Sequence, residues 1–305
     1  MSFTSTIKNE VSKLTSEKIE NIAELSAFLK NSSTITEMIR ITTENASVAR
    51  HIFHLMKQLY GVVSKITVRH GYNYNKNYVY ILEITKRVEE IKKDLCLDKE
   101  IPGSYLLDDD SSKRAYLRGL FLSCGSINDP KKSRYHLEFL VDSFKYAKFC
   151  SLLLNEYGLN SKVLKRENKY MIYVKEAEKI GDFLRMINAI QALFYYEDIR
   201  IYRDHKNMTN RLNNCEQANV DKIVETGMRQ VEDIELIETY GGLDLLSEKE
   251  KTVAIYRMKY KEASLLELSE IISIETSEKI TKSGIYHRFN KIKELANRIR
   301  QKEKE

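Results

Sequence analysis

The sequence predicts an α+β domain with pseudo-twofold symmetry followed by a small all-α domain of helix-turn-helix type. Three observations carry that prediction. The chain repeats itself at an offset of 92 positions, Ala115–Ile127 (AYLRGLFLSCGSI) echoing Ala23–Ile35 (AELSAFLKNSSTI) in its order of apolar, small and polar residues. Each copy is followed by the same succession of strand-like run, amphipathic helix and hairpin pattern, and such a repeat must be found before any fold is assigned. Beyond about residue 240 the strand patterns stop, and two helix-start signatures precede a basic amphipathic segment.

The first repeat spans about 23–84. After its opening helix come the strand-like run Ile39–Glu44 and the amphipathic helix Ala46–Tyr60. A hairpin, Val62–Arg69 against Tyr78–Leu82, then closes around a Gly/Asn-rich turn at Gly71–Asn77. Tyr72, Tyr74, Tyr78 and Tyr80 with Lys76 offer rings that stack on nucleic acid bases, although tyrosine-rich strands also serve plain sheet packing. Pro102-Gly103 and the acidic stretch Asp108–Asp110 lead into the second repeat, about 115–187. The aspartates read as the cap of the next helix, whose dipole favours acids at its start, ahead of a metal site. In this copy Pro130 sits in the turn between two short strands, Leu137–Asp142 is the strand ending in an acid, and Phe144–Tyr157 is the helix. Lys162–Lys165 and Tyr170–Val174 flank a turn at Glu167-Asn168.

A closing helix is expected at Ile180–Phe194, a polar, Asn-rich linker at Arg203–Asn214, and a connecting helix at Val220–Glu238, broken by Gly241-Gly242. The expected organisation is therefore a repeat domain at 1–205, a linker with a connecting helix at 206–240, and a helical domain at 241–305.

In that last segment Ser247…Glu250 and Ser264…Glu267 are capping boxes that place helix starts. The second helix is short, with Leu265, Leu268, Ile271 and Ile272 as its apolar side, and it ends near Ser273–Ser277. A third begins around Thr281, with the stripe Ile285, Phe289, Ile292, Leu295 and Ile299 at spacings of four, three, three and four. Its other side offers Lys282, Ser283, Tyr286, His287, Arg288 and Lys291. Short helix, turn and basic helix is the pattern whose last helix enters a DNA major groove. Arg288, with its planar fork, is the expected bidentate partner for guanine, and Lys282 and Lys291 the expected phosphate contacts. The charge is placed accordingly. From Lys279 to the C-terminus nine lysines and arginines oppose three glutamates, which equals the +6 of the whole chain, so the rest sums to zero. Basic charge confined to one end points to a polyanion there.

Composition narrows the alternatives. At 305 residues, 42% hydrophobic and 31% charged, the chain reads as a soluble cytoplasmic protein. Met1–Lys13 lacks the apolar centre of a signal peptide, and no run approaches the length of a membrane span. Cys96, Cys124, Cys150 and Cys215 are widely spaced, so buried reduced thiols are expected rather than disulfides or a zinc site. His51 and His54 share a helix face but have no third ligand nearby in sequence, so a metal there is not expected. No GxxxxGK[ST], GxGxxG or GxSxG occurs, which removes support for nucleotide-dependent and hydrolase readings.

The stretch Leu117–Gly125 (LRGLFLSCG) resembles the LAGLIDADG motif of homing endonucleases, whose repeats follow the order seen here. The resemblance implies that the two motif helices pack together at the pseudo-twofold axis, where small Gly119 permits close approach. It also implies that an acid is needed at the eighth motif position of each copy to hold catalytic divalent metals. Those positions are Cys124 and Ser32, and the sixth are Leu122 and Lys30. A thiol and a hydroxyl are poor ligands for Mg²⁺, so no catalytic or metal-binding residue is expected, and no cofactor. A degenerate LAGLIDADG pair followed by a basic helix-turn-helix resembles the WhiA family of bacterial regulators over nearly the whole chain. The resemblance extends to Phe3–Glu10, Thr43–Ala46, Arg118–Phe121, Lys282-Ser283-Gly284 and His287-Arg288. It implies a sequence-specific regulator of transcription, without catalysis, acting in sporulation or in cell division and chromosome segregation. It also implies a bacterial, Gram-positive host, with the protein on the nucleoid, double-stranded DNA as partner, and a protein partner as a further role for the repeat domain. The alternatives are a nucleoid-associated division factor that controls no promoter, and an active nuclease using acids outside the motif. One departure stands out: Ser33–Met38 replaces the longer Ser126–Tyr135, and a shortened hairpin would weaken any DNA saddle on that half.

Overall fold

Both copies of the repeat fold into the same succession of elements. The computed structural model describes residues 2–70, 78–132 and 134–302. A helix α1 (Phe3–Val11) precedes the first copy, which runs α2 (Lys18–Ser32), β1 (Ser33–Ile35), β2 (Ile39–Thr43), α3 (Ala46–Tyr60), β3 (Lys65–His70) and β4 (Tyr78–Ile84). After α4 (Val88–Asp94) the second copy follows as α5 (Asp110–Cys124), β5 (Gly125–Ile127), β6 (Leu137–Val141), α6 (Phe144–Glu156), β7 (Lys162–Arg166) and β8 (Lys169–Val174). The start of α5 is capped as expected, Asp109 accepting the Ser112 backbone N–H at 2.6 Å. The turn Gly71–Asn77, with Tyr72, Tyr74 and Lys76, lies outside the described residues; Tyr78 and Tyr80 lie on β4.

Each copy forms a four-stranded antiparallel sheet, in the orders β1-β2-β4-β3 and β5-β6-β8-β7. The two-residue period of a strand separates the faces. Ile39, Ile41, Leu82 and Ile84 are fully buried on the inner face of one sheet, as are Leu137, Phe139 and Ile172 in the other. The shorter hairpin of the first copy does not shorten its sheet: β1 and β5 are both three residues long. The missing residues come out of the turn alone, which Thr36 closes by donating its N–H to Met38 O at 3.0 Å.

Two expectations along the chain need correction. The closing helix is two helices, α7 (Ala177–Met186) and α8 from Ile190, parted at Asn188, whose φ of 58° is a left-handed conformation that Asn tolerates. The Asn-rich stretch is not an irregular linker. It belongs to α8 (Ile190–Gly241), one helix of 52 residues that also contains the expected connecting helix. From His205 to Asn219 there is no proline or glycine to stop it. The exposed polar sequence reflects a helix with nothing packed on it there. Gly242, at φ 83°, ends it. Cys215 lies on this exposed helix and is not buried; Cys96 and Cys150 are buried, and Cys124 is half-buried.

The structure divides into two compact units, Met1–Asp204 and His205–Glu305. In the second, α9 (Glu248–Lys259), α10 (Leu265–Thr276) and α11 (Lys282–Lys302) pack with the end of α8 around Ile234, Ile237, Val253, Leu268, Ile272, Ile285, Phe289 and Ile292. Both capping boxes form, and α10 stops at Ser277, φ 56°. Ala296 takes the fully buried seat in α11 while Leu295 is only half-buried. Among the described residues no helix is long and apolar enough to cross a membrane.

Candidate nucleic-acid interface

The motif helices α2 and α5 lie against each other at backbone distance. A Cβ added to Gly119 would come within 2.1 Å of Glu24 O on the facing helix, so only glycine fits there. Beside this contact lies a polar cluster that sequence reasoning missed. Glu24 is 1% exposed and Arg118 4% exposed. Arg118 Nε donates to Glu24 Oε2 at 2.6 Å, Arg118 Nη2 reaches Ser16 Oγ at 2.8 Å, and His51 Nε2 meets Glu24 Oε1 at 2.6 Å. Burial alone would raise the Glu24 pKa; the His51 hydrogen bond, with the charge and hydrogen bond of Arg118, outweighs it and holds the carboxyl below its ordinary value. His51 is thus committed to a carboxylate, while His54 is exposed. The available signal was two opposite charges inside an otherwise apolar repeat.

The eighth motif positions are turned inward on their own helices. Ser32 Oγ donates to Phe28 O at 2.7 Å, and Cys124 Sγ to Leu120 O at 3.4 Å. Desolvation pushes the Cys124 thiol up to about 11, and desolvation also lowers the neighbouring Lys8 ammonium to about 8. A cation therefore sits beside the thiol at the eighth motif position. Among the described residues no group of three or more His, Cys, Asp or Glu is arranged to hold a metal.

In the second unit, Arg257 holds the helix-turn-helix in register. It is 1% exposed, and its Nη1 donates to the carbonyls of Tyr260, Lys261 and Ala263 at 3.1, 3.2 and 2.6 Å, fixing the turn from α9 into α10. At about 100° per residue, the outer line of α11, opposite its buried stripe, is Ser283, His287, Asn290 and Glu294. Lys282, Ser283, Tyr286, His287 and Lys291 are exposed and Arg288 is half-buried. The six expected residues do not share one face. Lys282 and Arg288 fall on opposite flanks, each roughly 120° from that outer line. Lys291 Nζ lies 3.7 Å from Glu250 Oε1, on the side facing α9. Asn290, half-buried near the outer line, was not singled out from sequence because it belongs to neither the apolar stripe nor the basic set.

The outer faces of the two sheets carry charge that the domain-wide sum conceals. Strand register places Arg40, Lys65 and Arg69 with Glu83 on one outer face, and Lys162, Arg166 and Lys169 with Glu138 on the other. Glu83 is paired with Arg40 at 3.4 Å, and Glu138 with Arg166 at 3.6 Å.

Paired repeats whose motif helices cross at a glycine, joined to a helix-turn-helix, define a helix-turn-helix protein carried with a LAGLIDADG-like domain. Comparison with known proteins agrees: residues 18–98 match the WhiA N-terminal LAGLIDADG-like domain, 113–206 the WhiA LAGLIDADG-like domain, and 209–296 the WhiA C-terminal HTH domain. The chain belongs to the WhiA family. It is 42% identical over 315 residues to the "Probable cell division protein WhiA" of Staphylococcus haemolyticus, a match covering 100% of this chain and 99% of that one. It is similar to the crystal structure of full-length DUF199/WhiA from Thermatoga maritima, with 27% identity, a TM-score of 0.60, and 98% and 99% of the two chains covered. The N-terminal LAGLIDADG domain of DUF199/WhiA shares the fold of the first unit, at 24% identity and a TM-score of 0.51 over 61% of this chain and 92% of that one.

Proposed function

We propose that this chain is a sequence-specific DNA-binding regulator of cell division or sporulation, acting through α11, with the LAGLIDADG-like unit as a scaffold that does not cut DNA. The observation that carries the reading is α11 itself. One side is committed to the core while its start and most of its outer line stay exposed, on the segment that holds the chain's whole positive excess. Ser283, His287 and Asn290 then face base edges, with Tyr286 and Lys291 beside them, while Lys282 and Arg288 reach the phosphates along the two groove walls. The flank position of Arg288 supports a contact to the phosphate backbone over the guanine contact expected from its chemistry alone. The name of the Staphylococcus relative supports the cell-division role. The boundaries 1–205, 206–240 and 241–305 are part of the proposal, with residues 206–240 helical. So is localisation to the bacterial cytoplasm, on the nucleoid.

Genome-wide occupancy with matched transcript levels tests the regulatory role. Binding sites that coincide with no change in transcription on deletion leave a nucleoid-bound division factor instead. Loss of scaffold status would appear as Mg²⁺- or Mn²⁺-dependent cleavage that copurifies with the protein and is abolished by substitution at Ser32 or Cys124. A second contact is favoured by the basic outer sheet faces: Lys65, Arg69 and Lys162 would add non-specific affinity. A gel-shift series comparing Met1–Asp204 with the full chain measures that share.

A further inference from the structure

A cleft of about 430 Å³ opens at the end of α2 remote from Ser32. It is lined by the segment from Ser12 to Ser16, by Asn21 of α2, and by one side of α3 including Arg50, His51 and His54. No acidic residue lines it. Lys13 from the α1–α2 segment, and Arg50 and His54 from α3, bring positive or ionisable groups together from two elements. The floor is His51, whose side chain is 9% exposed. Behind it lie the Glu24 carboxylate from α2 and the Arg118 guanidinium from α5. Hydroxyls and amides complete the polar lining, and Leu14 and Leu55 contribute to an apolar part that is somewhat larger than the polar one.

Unlike charges normally alternate on a protein surface, and an uncompensated cationic concavity is a focus for anions. The volume exceeds what one inorganic phosphate needs and falls in the range of small-molecule sites. The fixed charges of Lys13 and Arg50 call for a dianion, which suits phosphate better than a single carboxylate. We propose that this cleft binds a small organic phosphate, held by Lys13, Arg50 and His54, with His51 as the group that reports its presence to the motif-helix pair. The chemistry of His51 makes the second half of the statement. With Nε2 donating to Glu24, a neutral imidazole presents Nδ1 as an acceptor. A second proton turns Nδ1 into a donor, which an anion in the cleft favours. Occupancy is thereby coupled, through the His51 ring, to the buried contact with Glu24 between the repeats.

The test uses the full chain with pyrophosphate and glycerol 3-phosphate as probes, followed by calorimetry and by NMR titration of the histidine side chains. The expected result is 1:1 binding, a change in the His51 ring resonances on saturation, and at least a tenfold loss of affinity in Arg50→Ala and His54→Ala. Both substituted positions are exposed. Lys57→Ala, on the same helix outside the cleft lining, should bind as the unaltered protein does. Absence of binding at millimolar probe, or binding that Arg50→Ala and His54→Ala leave intact, overturns the proposal. So does displacement of the probes by random duplex DNA, which would make the cleft a nucleic-acid contact.

Discussion

Replacing Arg118 by alanine removes the partner that keeps a carboxylate in the middle of the motif-helix pair. Glu24, 1% exposed, loses the guanidinium at 2.5–2.6 Å and keeps only His51. The arginine stem, itself buried, leaves space that neighbouring backbones at glycine distance cannot collapse to fill. Breaking a buried pair by removing one member costs about 3–5 kcal/mol. For a unit of this size that is a fall in Tm of about 6–20 °C. Differential scanning calorimetry of the full chain, with hydrogen exchange of α2 and α5 amides to assign the transition, reads it without assuming that both units melt together. The double variant Glu24→Leu/Arg118→Leu should recover most of the loss, because no charge is then stranded. The sign with pH is fixed by the lowered Glu24 pKa. Its stabilisation is complete above the ordinary carboxylate value and fades as pH falls through the lower folded value. Arg118→Ala should weaken that acid sensitivity, leaving the part that rests on His51. A loss below about 1 kcal/mol, or a double variant as unstable as the two single losses combined, would refute the role given to this cluster.

Three further outcomes are expected. Gly119→Ala forces a methyl to within 2.1 Å of Glu24 O; since both atoms belong to helix backbones, the first unit should unfold well below the temperature of the unaltered protein, and an unchanged melting curve would show that the helices can separate freely. In α11, Arg288→Ala should weaken specific and random DNA alike and lower the salt slope by about 0.9, whereas His287→Ala should relax preference at one base position at a cost of about 1–3 kcal/mol; the reverse pattern in filter binding at two salt concentrations would place Arg288 on a base. A maleimide at neutral pH should label exposed Cys215 long before Cys124, whose thiol burial pushes up to about 11; mass spectrometry showing equal rates would mean that the end of α5 opens readily.

The repeat, both sheets, the capping boxes and the stripe of α11 were legible in the sequence because each is a local pattern. Period two, period 3.6 and a hydroxyl three residues before a glutamate report what a segment does before it meets anything else. The glycine of Leu117–Gly125 was legible too, through its resemblance to motif helices that pack closely. The long α8 was misread because polarity was taken for irregularity. From His205 to Asn219 the helix has no packing partner and so no apolar stripe to reveal its period, and only the absence of proline and glycine across that stretch marked it. The division of charge between sheet faces was hidden in a domain sum near zero, since face membership depends on strand register. The salt-bridged core of Glu24, Arg118 and His51 joins residues up to 94 positions apart, and no local rule couples them. On α11 the sequence supplied the residue types that could meet DNA, but helix packing decided which of them point away from the core. Local propensity and periodicity belong to the chain; which face is buried, and which distant charges must share a dry space, are settled only when the elements pack.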